Sequence, residues 1–87
     1  MLTDEQKTRF VNALEAAGLG VITEDDVVAT RDTVADFAAH HHLPKSGSQQ
    51  QRKVKGITIH SFWQRGRRGE KMVHIADFGD VRAVLTE

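Results

Sequence analysis

The chain has 87 residues, no cysteine, and twelve Lys and Arg against twelve Asp and Glu, for a formal net charge of zero. One small domain follows, able to bury about 60–65% of its unfolded surface, with neither disulfides nor a thiolate metal site to assist. No apolar run approaches the roughly 18 residues of a membrane span, and residues 1–6 lack a basic-then-apolar leader pattern, so a soluble cytoplasmic protein is expected.

The zero net charge conceals a segregation. Residues 1–40 carry eight acidic groups against Lys7, Arg9 and Arg31, whereas residues 41–71 carry eight basic groups against Glu70 alone. Unlike ends of this kind suit either a polyanionic partner or self-association, beside the plain alternative of charges clustered on solvated faces.

In chain order, Thr3 followed by Gln6 is a capping-box pattern, with Asp4 and Glu5 at the positive end of a helix dipole. Phe10, Leu14 and Ala17, flanked by Val11 and Ala13, recur at helical spacing, and Gly18 and Gly20 supply a stop, so a helix over residues 4–17 is predicted. Val21 and Ile22 fit a strand stub or a packed linker equally. Residues 24–30 read as a short helical turn, followed by a helix from Thr33, its N-cap, to His42; a single helix over 24–42 is the rival. Pro44 must end that helix, because it lacks an amide hydrogen and pushes Leu43 out of the α region.

Ser46 then caps a second helix over 47–55, closed by Gly56, giving a helix-turn-helix outline. A polar, glutamine-rich linker is the alternative for 44–55. Residues 57–63 and 71–76 read as two strands, rich in β-branched and aromatic residues. Between them, residues 65–70 form a tip with two glycines and three arginines, the shape of a cationic wing. By strand alternation Trp63 shares the face of Ile57 and Ile59 and is expected inside, leaving Phe62 the more exposed ring. Asp77 caps a last helix with Phe78, Val81, Val84 and Leu85 on one face.

From Thr33 to Leu85, 53 of the 87 residues, this order of elements resembles the winged helix-turn-helix domains of phage Cox-type regulators, excisionases and MerR-like proteins. Val34-Ala35-Asp36-Phe37-Ala38-Ala39 looks like their first motif helix, Pro44-Lys45-Ser46 like the turn, and Gly56-Ile57 like the entry to the wing. Residues 70–78 look like the returning strand and the capped helix after it. Gln49 and Gln50 depart from the pattern, standing where the second helix usually carries buried aliphatic residues. The resemblance implies an α+β fold: a small winged helix-turn-helix with an extra N-terminal helix, a two-stranded antiparallel wing and a C-terminal helix. As a single domain, residues 1–32 are the N-terminal helix and connector, 33–56 the helix-turn-helix, 57–76 the wing hairpin and 77–87 the C-terminal helix.

A helix at 47–55 lying in the major groove would present Ser48, Gln49, Gln51 and Arg52 to bases; Gln pairs bidentately with adenine and Arg with guanine. Lys45, Lys53 and Lys55 suit phosphates, and Arg65, Arg67, Arg68 and Lys71 belong to the wing. Consecutive His40, His41 and His42 diverge by about 100° on a helix and do not converge on one ion; His41 is expected to be partly buried and the other two solvated. His60 and His74 across the hairpin lack carboxylate or thiolate company. No nucleophile, phosphate loop or paired carboxylates occur in a catalytic setting. The expectation is a non-enzymatic binder of double-stranded DNA without cofactor, metal, membrane or small-molecule substrate. It would act as a small transcriptional regulator or recombination directionality factor, as a homodimer or cooperative row. The rival is an interaction module or inhibitor docking its basic hairpin on an acidic protein surface.

Overall fold

Thr3 starts the first helix as its sequence requires. In the computed structural model, which describes residues 1–19, 23–43, 49–66 and 69–86, the Gln6 amide donates to Thr3 Oγ1 at 3.1 Å and the Thr3 amide donates to Gln6 Oε1 at 3.0 Å. The helix, α1 (Asp4–Ala16), ends with Gly18 at φ 79, where the Leu19 and Gly18 amides reach back to the carbonyls of Leu14 and Glu15, a Schellman closure. Phe10 and Leu14 are fully buried. At about 1.5–3 kcal/mol for each such side chain, against about 1 kcal/mol for a cap, packing rather than capping holds α1 in place.

A single 3₁₀ turn (Glu24–Asp26) leads into β1 (Val28–Thr30), so the helical turn predicted for 24–30 covers only its first part and the unbroken rival helix is absent. Thr33 caps α2 (Val34–His40) by accepting from the Asp36 amide at 3.1 Å, as its position predicts. His42, at φ 55, closes α2 as Gly18 closes α1, which delivers Leu43 into the core beside Ala38. Residues 21–22 and the turn expected at 44–46 lie outside the described residues.

Two predicted helices are strands. Residues 49–54 form β2 (Gln49–Val54), antiparallel to β3 (Ile57–Gly66), where the recognition helix of a helix-turn-helix was expected. The reason lies in burial: this segment has Val54 as its one aliphatic residue, too little for a helix stripe, whereas a strand gains a hydrogen-bond ladder from a neighbour. Lys55 at φ 50 and Gly56 at φ 80 form the two-residue turn with both residues left-handed that closes tight hairpins, so Gly56 turns a strand rather than stopping a helix. At the other end of the chain Asp77 caps a turn, its Oδ1 accepting from the Gly79 amide at 2.9 Å. The chain then returns as β5 (Arg82–Thr86) instead of a C-terminal helix. Ala83 and Leu85 go to one side and Val84 to the other, and all three are buried. A short apolar run of this kind fits either secondary structure, and covered sheet faces decide for the strand.

The fold is therefore α+β but not a winged helix: two helices and a five-stranded antiparallel sheet in the order β1-β5-β4-β3-β2, with β4 spanning Gly69–Asp77. Alternation sends Ile57, Ile59, Ala76, Ala83 and Leu85 to the face that packs on Phe10, Val11, Ala13 and Leu14 of α1. Phe62, Val73, Ile75 and Val84 pack on the opposite face with Ala38 and Phe37 of α2. One sheet thus lies between two helices, each closing its own apolar cluster. Among the described residues no helix is long and apolar enough to cross a membrane.

Candidate functional site

Among the described residues β3 and β4 outrun both of their neighbours. There β2 accompanies β3 between the pairs Gln49↔Phe62 and Val54↔Ile57, and β5 accompanies β4 between Val73↔Thr86 and Asp77↔Arg82. The β3–β4 ladder goes on through Trp63↔Met72, Gln64↔Lys71, Arg65↔Glu70 and Gly66↔Gly69. Among the described residues these pairs form a two-stranded ribbon standing clear of the sheet, about 14 Å long at the usual strand rise.

The base of this arm is anchored on both faces. On the α1 side Ser61 and His74, opposite each other in the ladder, share a hydrogen bond of 2.7 Å between Oγ and Nδ1. At 1% and 0% exposure the pair is out of reach of any substrate, so it serves as a polar clasp rather than a dyad. On the α2 side Phe62 is 2% exposed. Trp63, one step further out, keeps 41% of its surface exposed. The expected assignment of these rings is reversed: Trp63 does share the face of Ile57 and Ile59, but it lies past the stretch where the α1 cluster closes.

The residues expected to read DNA do not share one surface. Gln51, Arg52 and Lys53 lie on β2, an edge strand, and Lys55 sits in the β2–β3 turn. Lys53 pairs with Thr58, eight residues before Gly66 along β3, which separates it from the arm's end by about 27 Å. The longest dimension of the molecule is 33 Å, so the turn and the arm are opposite ends of it. Arg52 is also engaged, donating from Nη2 to Gln50 Oε1 at 2.8 Å. Lys71 is exposed on the arm and Arg65 occupies its backbone, paired with Glu70. Lys45, Ser48, Arg67 and Arg68 lie outside the described residues, as does the side chain of Gln49. The chain segment joining Gly66 to Gly69 is Arg67-Arg68, so the arm from 63 to 72 carries four cations against Glu70.

The histidines fall apart as a group. His40, His41 and His42 are exposed, and the partial burial expected of His41 is replaced by stacking on Phe37, with ring centroids 4.1 Å apart. His60 and His74 do not meet across the hairpin: the register pairs His60 with Ile75, which puts the two rings on opposite faces. His60 Nδ1 is buried without a partner among the described residues, and burial pushes its pKa below 6.5 while the Asp77 carboxylate pulls it back up. Among the described residues no three His, Asp or Glu side chains gather as a metal site would require.

Trp63 is what the sequence reasoning missed. The described part of β2 pairs with β3 as far as Phe62, one residue short of Trp63, and the sequence, which reads residues 47–55 as a helix, holds no signal of that limit. No family model matches the chain, and no curated protein or solved structure matches it.

Proposed function

We propose that the protein is a cytoplasmic, non-catalytic binder of duplex DNA that works through the β3–β4 arm instead of a recognition helix. The supporting observation is the ribbon itself. Its length of about 14 Å exceeds the roughly 8.5 Å depth of the major groove, whose width of roughly 12 Å admits a two-stranded β-ribbon. Arg65, Arg67, Arg68 and Lys71 are the contacting cations, and phosphate contacts dominate the affinity. An architectural or regulatory role, of the kind played by small transcription regulators or recombination directionality factors, suits an arm that grips without chemistry.

Fluorescence anisotropy with a random-sequence duplex tests this reading. Four phosphate contacts give a slope of about −3.6 in log K against log salt, and replacing Arg67 and Arg68 by Ala brings it to about −1.8. Replacing Lys53 and Lys55, at the far end of the sheet, has the smaller effect. Trp63 is the chain's single tryptophan and stands at the base of the arm, so its emission changes when the arm is covered. Absence of salt-sensitive affinity for random duplex at low salt would end the reading. The second reading, docking of the arm on an acidic protein surface, is favoured by the exposure of Trp63 as an apolar anchor. There the Trp63 signal responds to the acidic partner and not to DNA.

A further inference from the structure

The arm leaves another feature of the sheet unused. β2 is an end strand in the order β1-β5-β4-β3-β2, and its side chains at Gln50, Gln51 and Lys53 are exposed. The two-residue turn at Lys55 and Gly56 fixes which backbone groups of β2 are spoken for. In such a hairpin the residues flanking the turn, Val54 and Ile57, exchange both backbone hydrogen bonds, and the pattern alternates outward from there. Val54, Arg52 and Gln50 therefore bond inward to β3, while positions 53, 51 and 49 turn their amide and carbonyl groups away from the sheet. These outward groups are spaced symmetrically about Gln51.

We infer that β2 is a self-pairing edge: two copies of the chain join antiparallel through β2 about a two-fold axis at Gln51, extending the sheet to ten strands. In that register position 51 meets 51, and 49 meets 53. All three outward positions of one strand then exchange hydrogen bonds with the three of the other, and none is left over. The side chains agree with the register. Arg52 falls opposite Gln50 of the second copy, reproducing between chains the Arg52-to-Gln50 hydrogen bond of 2.8 Å already made within one. Lys53 falls opposite position 49 rather than another lysine, and Gln51 meets Gln51, so no like charges are directly opposed. Edge lysines ordinarily discourage strand pairing. Here Arg52, Lys53 and Lys55 of both copies still gather along one seam, and raising the salt concentration relieves that crowding. Association through β2 thus strengthens with salt, whereas DNA binding by the arm weakens.

A six-residue strand pair is small beside the roughly 1,200–2,000 Å² of a standard interface, so the dimer is weak. Analytical ultracentrifugation without DNA, from about 10 μM to about 1 mM protein, at low and high salt, reads it, together with amide hydrogen exchange over the same series. The expected result is a monomer–dimer equilibrium favoured by salt, with the amides of residues 49, 51 and 53 gaining protection as concentration rises. The amides of 50, 52 and 54 are protected throughout. Gln51→Pro removes an outward amide that β3 does not use, and abolishes the dimer; Gln51→Lys, at an exposed position, sets two cations on the axis and weakens it at low salt. A chain that stays monomeric to the top of the series overturns the inference. So do outward amides indifferent to concentration, or species that grow beyond the dimer, as pairing of β2 with β1 of another copy would give. Arg67→Ala with Arg68→Ala leaves the ultracentrifuge result as it is, so loss of DNA binding and loss of the dimer are read separately.

Discussion

His60 is held in a position its chemistry resists. It faces the α2 side of the sheet, across from Ile75 and beside Gln51, with Asp77 the acidic group that acts on it. Desolvation outweighs that carboxylate, so the folded pKa lies below the unfolded value of 6.5. As pH falls through 6.5 the unfolded chain takes up the proton first, and the folded state loses stability relative to it. Above 6.5 the ring is neutral in both states and nothing is lost. Urea midpoints at about pH 7.5 and about pH 5.5 should therefore fall further for the native chain than for His60→Gln, which has no proton to take up. Parallel declines in the two would mean that His60 does not carry the effect. The residue scale also shows where alternation stops informing. That Phe62 and Trp63 oppose each other was legible from β-strand geometry alone. Which of them enters the core was not, because both faces of this sheet are covered and the decision falls to how far each helix cluster extends.

At the scale of elements, legibility followed self-sufficiency. Both helices carry their own start signals, Thr3 and Thr33, and Gly18 stops the first, while the second ends at His40, two residues before the His42 expected from Pro44; the β3–β4 hairpin announces itself by composition. β2 and β5 do not. β2 is polar because only an edge ladder holds it, and β5 is apolar on both faces at its centre, Ala83 to Leu85, because it is sandwiched, so neither shows the alternation of a half-buried strand. The one local signal for β2 was its turn, and Gly56 was ambiguous between ending a helix and turning a strand. That turn is open to test. A Cβ at Gly56 would meet nothing within 4 Å, so Gly56→Ala carries only the strain of φ 80. That strain is about 1–2 kcal/mol for an L-residue. Lys55 already bears such strain at φ 50, and Asn tolerates the left-handed region better, so Lys55→Asn is expected to stabilise by up to about 1 kcal/mol. Denaturant midpoints of the two variants should move in opposite directions; movement together would contradict the turn assignment.

At the scale of the whole molecule, the strand order was beyond the sequence because β1, only three residues long, is recruited by β5 more than fifty positions later. Arg82 locks that closure, donating to the Arg31 carbonyl at 2.9 Å and to the Gly79 carbonyl at 3.0 Å while pairing with Asp77. The body so closed needs little from the arm. Among the described residues the two apolar clusters draw on β3 no further than Phe62 and on β4 no earlier than Val73. Replacing residues 64–71 by Asn-Gly, a sequence that closes a two-residue hairpin, keeps the Trp63↔Met72 pair as the new end of the ladder. The shortened chain should fold with an unchanged circular dichroism spectrum and nearly the same denaturant midpoint, since every described core residue is kept. Its electrostatics change far more than its packing: removing four cations and one anion from a neutral chain leaves a net charge of −3. Duplex affinity should then disappear together with its salt dependence, because a chain of that charge repels phosphate at long range. If the shortened chain folds and still binds duplex, the arm is not the contact; if it fails to fold, the arm belongs to the body after all.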